Sequence, residues 1–174
     1  MTLEIDPTLL VGFLFAAVRT AAWIAVAPPF NSSGIPARVK VAISVSLAFV
    51  LAPQYEGGVD PADTGAFLGG LLYQVVVGLA LGFGVLILFS AFQSAGSMID
   101  LSAAFSGATL YDPFTNAGSS PMGRLYQMLA VTILFVIDGH LMLVRGLMAS
   151  FEAAPLDGLS MEGVAQTLIA DLGS

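Results

Sequence analysis

The chain has 174 residues, 57% of them apolar and only 10% charged, with a formal charge of −7. Soluble domains carry roughly a quarter of their residues as Asp, Glu, Lys or Arg, yet here no formal charge occurs between Asp63 and Asp100. Five basic residues cannot neutralise a phosphate backbone, which excludes nucleic acid as a partner. The lack of cysteine excludes disulfides, thiolate metal sites and cysteine nucleophiles.

These features predict an all-α polytopic membrane protein of helical hairpins, a single membrane domain over 1–174 with four long apolar helices and a short C-terminal one. Residues 1–6 lack the basic region of a cleavable signal, so the first apolar segment is expected to be retained. That segment, 7–27, stops at Pro28 and Pro29, and a connection over 28–36 follows, with Asn31, Ser32, Ser33, Gly34 and Pro36. A second helix, 37–52, ends at Pro53, and an acidic loop over 53–63 carries Glu56, Asp60 and Asp63. A third block starts near Thr64 and meets no proline until Pro113. Roughly 45 helical residues would approach 70 Å against about 30 Å of hydrocarbon. The spacing therefore predicts a helix that projects beyond the bilayer or breaks near Gly96, with the span itself at 64–92. A loop over 109–121 leads to a fourth helix, 122–151. Beyond Pro155, Ser160 is placed to cap a short helix with Val164, Leu168 and Leu172 on one face.

Arg38 and Lys40 flank the first connection and Arg124 the third, whereas Glu4, Asp6, Glu56, Asp60 and Asp63 occupy the alternate ends. The positive-inside rule then puts the N-terminus outside and the basic connections in the cytoplasm.

Gly78 and Gly82, continued by Ser90 and Ser94, form a stripe of small residues that lets another helix approach closely, either a partner's or one of this chain. Ser97, Asp100 and Ser102 make the end of that block too polar for lipid tails. Ionisable residues inside apolar blocks are expensive, and Arg19, Asp138, His140 and Arg145 are such residues. Arg19 either lines a conduit or pairs with a partner helix, and the pairing is the expectation. Asp138 and Arg145, seven residues apart on one helix face, form with His140 either a proton relay or, as expected, a satisfied structural cluster.

Signals of catalysis are weak. One histidine and no cysteine leave little for a metal site. Gly82 and Gly84 lack the third glycine of a dinucleotide loop and sit inside an apolar helix. Ser119 with His140 only faintly matches an intramembrane serine protease. The expectation is a protein that is no enzyme and binds no cofactor. A small-solute transporter remains the alternative class, though no convincing repeat relates 1–60 to 61–150.

Four strings in order carry a resemblance. Ile35, Pro36, Ala37, Arg38, Val39 and Lys40 lead into a helix ending Leu51, Ala52, Pro53; then come Gly78 to Gly82 with Phe83, Phe105 with Tyr111, Asp112 and Pro113, and Asp138, Gly139, His140 and Leu141. Together they resemble the FliR family of flagellar type III export proteins, over nearly the whole chain; the virulence-secretion homologues are similar. The resemblance implies an export gate in the bacterial inner membrane, at the flagellar basal body. There FliR-like proteins assemble with FliP and FliQ into a closed pore, beside FlhB, through which unfolded flagellar subunits pass. It also implies that the segment 106–122 helps plug the pore, with Phe105, Ser106, Gly107, Leu110, Tyr111, Asp112, Pro113 and Phe114 as the plug residues. Family helices do not all cross lipid as hydropathy indicates. Members also continue into a FliQ-like hairpin, which this sequence, ending at Ser174, does not reach; it is read as a truncated product or a divergent member.

Overall fold

Prolines and glycines set where the helices end. The computed structural model describes residues 7–32, 34–54, 63–103 and 120–156, and among them are five α-helices, one 3-10 turn at Ala52–Gln54 and no strand. The protein is all-α. Helix α1 (Pro7–Val26) starts at a proline, whose missing N–H is harmless in a first turn, and ends before Pro28. The amides of Phe30 and Asn31 then donate to the Ala27 carbonyl, and the Phe30 ring packs 5.0 Å from that of Trp23. This turn feeds α2 (Ala37–Leu51), which lies back along α1 with Ser44, Ala48 and Leu51 inward. Small side chains one turn apart permit that close approach.

Helix α3 (Thr64–Ser102) is capped by Asp63, whose Oδ1 accepts the amides of Gly65 at 3.0 Å and Ala66 at 3.3 Å. It runs unbroken for 39 residues, roughly 58 Å. The break expected near Gly96 does not occur. No proline interrupts the ladder, and one glycine costs only about 1 kcal/mol in a helix interior, less than Gly96 returns by its close contact described below. The buried face, Gly70, Gln74, Gly78, Gly82, Val85 and Phe89, repeats at intervals of four and three, as one helix face must.

The fourth block is divided. Helices α4 (Pro121–Val136) and α5 (Gly139–Ala153) meet at Asp138, which takes a left-handed backbone with φ 56°. Aspartate tolerates that region better than most residues. The two axes differ by 79°. A Cβ on Gly139 would come within 2.9 Å of Leu134 Cδ1 and 3.2 Å of the Leu134 carbonyl, so the corner is closely packed there.

Contacts fix the directions. Phe15 lies on Gly70, Ala22 on Gly78 and Val26 on Gly82, so α1 and α3 run parallel. Beyond Gly82, α3 continues from 83 to 102, about 30 Å past the end of α1. Helix α4 returns along this overhang with Gly123 against Gly96. The core gathers where α1, α2, α3 and α5 meet, around Phe15, Trp23, Leu51, Phe89, Leu147 and Phe151.

Two helices, α1 over Thr8–Val26 and α3, are long and apolar enough to cross a membrane, or three spans if the bent α4–α5 pair counts as one. The 15 residues of α2 reach about 22 Å, short of the roughly 30 Å of hydrocarbon. The span expected at 37–52 is therefore a partial hairpin leaning on α1. The expected short helix around Ser160, Val164, Leu168 and Leu172 lies outside the described residues.

Candidate functional site

The densest polar cluster sits in the middle of the first span. Arg19 and Gln74 are both 0% exposed. Arg19 Nε donates to Gln74 Oε1 at 2.7 Å; one terminal nitrogen donates to the Ser150 carbonyl at 2.9 Å and the other to the Ala154 carbonyl at 2.7 Å. The guanidinium carbon stands 4.3 Å from the centre of the Phe151 ring. Gln74 Nε2 in turn donates to the Leu156 carbonyl at 3.0 Å. One node thus ties α1, α3 and the end of α5.

A buried cation costs several kcal/mol unless its charge is met. Here the last carbonyls of α5 meet it, at the end of that helix where the aligned peptide dipoles are negative. Among the described residues no carboxylate pairs with Arg19, so the expected ion pair is replaced by amide oxygens. The full burial also means that Arg19 faces no passage in this chain. Arginine suits the node because its three nitrogens, spread over a rigid plane, reach acceptors that lie too far apart for the single nitrogen of an ammonium.

Backbone contact at the same level explains the glycines. A Cβ on Gly78 would collide with the Arg19 carbonyl and lie 2.9 Å from Ala22 Cβ; one on Gly82 would lie 2.9 Å from Val26 Cβ and 3.0 Å from the Trp23 carbonyl. Gly78 and Gly82 therefore pack against α1 of the same chain, and the expected stripe divides in two. Ser90 and Ser94 lie on the exposed surface of the overhang. The Ser90 hydroxyl turns back to the Ile87 carbonyl at 2.8 Å, whereas Ser94 makes no side-chain hydrogen bond among the described residues.

At the tip of the overhang a second crossing joins α3 to α4. A Cβ on Gly96 would meet the Met122 carbonyl at 2.6 Å and Gly123 Cα at 2.7 Å. Asp100, 1% exposed, accepts the Met122 amide through Oδ2 at 3.0 Å, while Ser120 Oγ accepts the Gly123 amide at 2.7 Å. Both acceptors satisfy orphan donors at the positive end of α4. The structure thereby pins both helix ends that flank the expected plug. The plug residues Phe105, Ser106, Gly107, Leu110, Tyr111, Asp112, Pro113 and Phe114 themselves lie outside the described residues.

The cluster expected at Asp138, His140 and Arg145 does not assemble, because the corner falls between the two charges that one straight helix would align. Asp138 and Arg145 are exposed. His140 is half-buried, its ring 5.0 Å from that of Phe135 and its Nδ1 without a hydrogen bond among the described residues. Among the described residues no three His, Asp or Glu side chains come together that could hold a metal ion. Sequence reasoning missed Gln74, although it is the only polar amide between Asp63 and Ser90 and stands one turn before Gly78. It also missed the carbonyl acceptors, which no side-chain pattern reveals.

The fold and its node define a polytopic α-helical membrane protein, held together by glycine crossings and one buried cation. The family model described as bacterial export proteins, family 1, matches residues 10–174, and the chain belongs to that family. It is 28% identical over 162 residues to the flagellar biosynthetic protein FliR of Escherichia coli (strain K12), covering 93% of this chain and 62% of that protein. It is 31% identical over 144 residues to FliR of Pectobacterium carotovorum subsp. carotovorum, covering 83% and 55%. A Yersinia pestis relative, Yop proteins translocation protein T, matches at 31% over 83 residues, 48% of this chain and 32% of that protein. The chain thus spans less than two thirds of the length of these relatives.

Proposed function

We propose that this chain belongs to a membrane subunit of the flagellar type III export gate. In this reading it assembles with FliP, FliQ and FlhB-like subunits in the inner membrane at the flagellar basal body. Unfolded flagellar subunits pass through the resulting pore. The overhang of α3 is the observation that carries the reading. Phe92, Met98, Ile99 and Leu101 are 51%, 68%, 41% and 69% exposed, beside exposed Ser90, Gln93, Ser94 and Ser102. Such a surface is too apolar for water and too polar for lipid tails.

Nor does tilt hide it. Even at about 40°, the upper end of observed tilts, a helix of roughly 58 Å still spans about 44 Å along the membrane normal. Protein is the cover that suits both kinds of side chain, which supports assembly with other helical subunits. The longer matches to flagellar FliR proteins favour the flagellar apparatus over virulence secretion.

The absence of cysteine supplies a clean test. A Ser94→Cys variant, expressed in a flagellated host whose FliP and FliQ carry single cysteines, should cross-link to one of them on mild oxidation. A variant present at normal levels in the membrane that never cross-links to either would overturn the reading.

A further inference from the structure

Just past the end of α1, the turn after it, the middle of α3 and the flank of α4 line an open groove of about 640 Å³. Because α4 runs back along α3 from the overhang, Arg124 lies toward the tip and Val131 and Thr132 toward the core. Asn31, Ser32 and Gln127 add polar lining, and Val26, Leu86 and Met128 an apolar side. The Arg124 side chain makes no hydrogen bond or ion pair among the described residues. A second cation borders the groove, since Lys40 Nζ donates to Asn31 Oδ1 at 3.3 Å.

We propose that this groove binds the phosphate headgroup of an anionic phospholipid, with Arg124 as its principal anchor. The exposed Arg124 guanidinium has no carboxylate partner among the described residues and stands beside the neutral side chains of Asn31 and Gln127, and a phosphate is the planar fork's natural complement. The apolar side selects a lipid over a free anion, because Val26, Leu86, Met128 and Val131 present surface that a free phosphate would leave uncovered and acyl chains would cover. The volume falls within the roughly 300–1,000 Å³ of small-molecule sites. Charge supports the site as well. Arg124 lines the groove and Lys40 bonds to Asn31 at its edge, and basic pockets between helices suit acidic headgroups. This inference does not depend on the export reading.

Native mass spectrometry of the detergent-solubilised full chain, titrated with dioleoylphosphatidylglycerol, tests it. The parent should retain that lipid in preference to dioleoylphosphatidylcholine. Arg124→Gln should weaken retention roughly five-fold, the worth of one basic contact at a membrane surface, and Arg124→Lys should restore most of it. Met128→Trp adds bulk to the apolar side without touching the charge and should also reduce retention, so the site remains testable if Arg124→Gln fails to fold. Equal retention of the two lipids, or unchanged binding in Arg124→Gln and Met128→Trp, would refute the site. Displacement of phosphatidylglycerol by millimolar inorganic phosphate would reassign it to a free anion. Loss of the lipid once other gate subunits co-purify would reassign it to a partner side chain.

Discussion

The two halves of α3 solve different problems with the same residue types. From 64 to 82 the helix lies along α1, and each crossing point is a glycine: Gly70 under Phe15, Gly78 under the Arg19 carbonyl, Gly82 under Val26. From 83 to 102 its main neighbour is α4, and one tight crossing at Gly96 and Gly123 holds that pair. Helices in lipid gain little from hiding apolar surface, so they associate through close backbone approach and satisfied polar groups. The first half meets both needs inside the chain, with Arg19 and Gln74 fully bonded. The second half keeps its small residues, Ser90 and Ser94, on the outside. Small residues in a membrane helix therefore mark where something approaches, without saying whether it belongs to the same chain.

The sharpest way to break this contrast is to add bulk to the first half. Gly78→Leu must push the Arg19 carbonyl away and with it the whole node, so destabilisation by more than about 3 kcal/mol is expected. It should be visible as loss of the cooperative transition on thermal unfolding in detergent. Next in size is Arg19→Met. It strands Gln74 Oε1 and the Ala154 carbonyl without donors, about 1 kcal/mol or more for each buried acceptor, so a loss of roughly 2–3 kcal/mol should appear in the same measurement. Arg19→Lys should recover only part of it, because an ammonium cannot span all three acceptors.

Much of the first half was legible in the sequence, and the reason is local. Pro28 and Pro29 end α1, α3 starts at Thr64 where the acidic loop gives way to apolar residues, and the four-residue spacing of Gly78 and Gly82 declares a close crossing, as the structure shows. The partner of that crossing was not legible, because spacing reports a helix face and not its neighbour. The expected cluster of Asp138 and Arg145 failed for a related reason. Helical periodicity extends a face through 138 only if the backbone stays right-handed, and a single left-handed residue turned the next helix by 79°. Arg19 was legible as costly but not in its solution, since carbonyls at a helix end leave no trace in residue type.

In the second half Gly96→Ala is the corresponding bulk test. The new Cβ would come within 2.6 Å of the Met122 carbonyl and 2.7 Å of Gly123 Cα, and both neighbours are backbone that cannot rotate aside. A loss of about 1–2 kcal/mol is expected. It should be confined to the overhang, because the node at Arg19 touches neither residue. Amide hydrogen exchange should show faster exchange at the start of α4 and unchanged protection in 64–82. Equal loosening of both halves would mean that α3 responds as one rigid rod and that the contrast between them is not energetic.

The smallest effect on the isolated chain should come from Ser94→Leu, and it is the most informative. Ser94 is exposed and its hydroxyl has no partner among the described residues, so the substitution removes no hydrogen bond made among them. Surface changes of this kind stay within about 0.5 kcal/mol, and thermal unfolding should match the parent. If the overhang is covered by helices of other export-gate subunits, however, a leucine there occupies the space into which a partner backbone must come. Co-purification with FliP and FliQ should then fall several-fold while membrane insertion is unchanged. The same variant placed in lipid without partners should be silent, because leucine is at home among acyl chains. A Ser94→Leu chain that assembles as well as its parent would show that this face of α3 meets lipid, and the exposed serines would then have to be covered from the side of Phe92 and Gln93 instead.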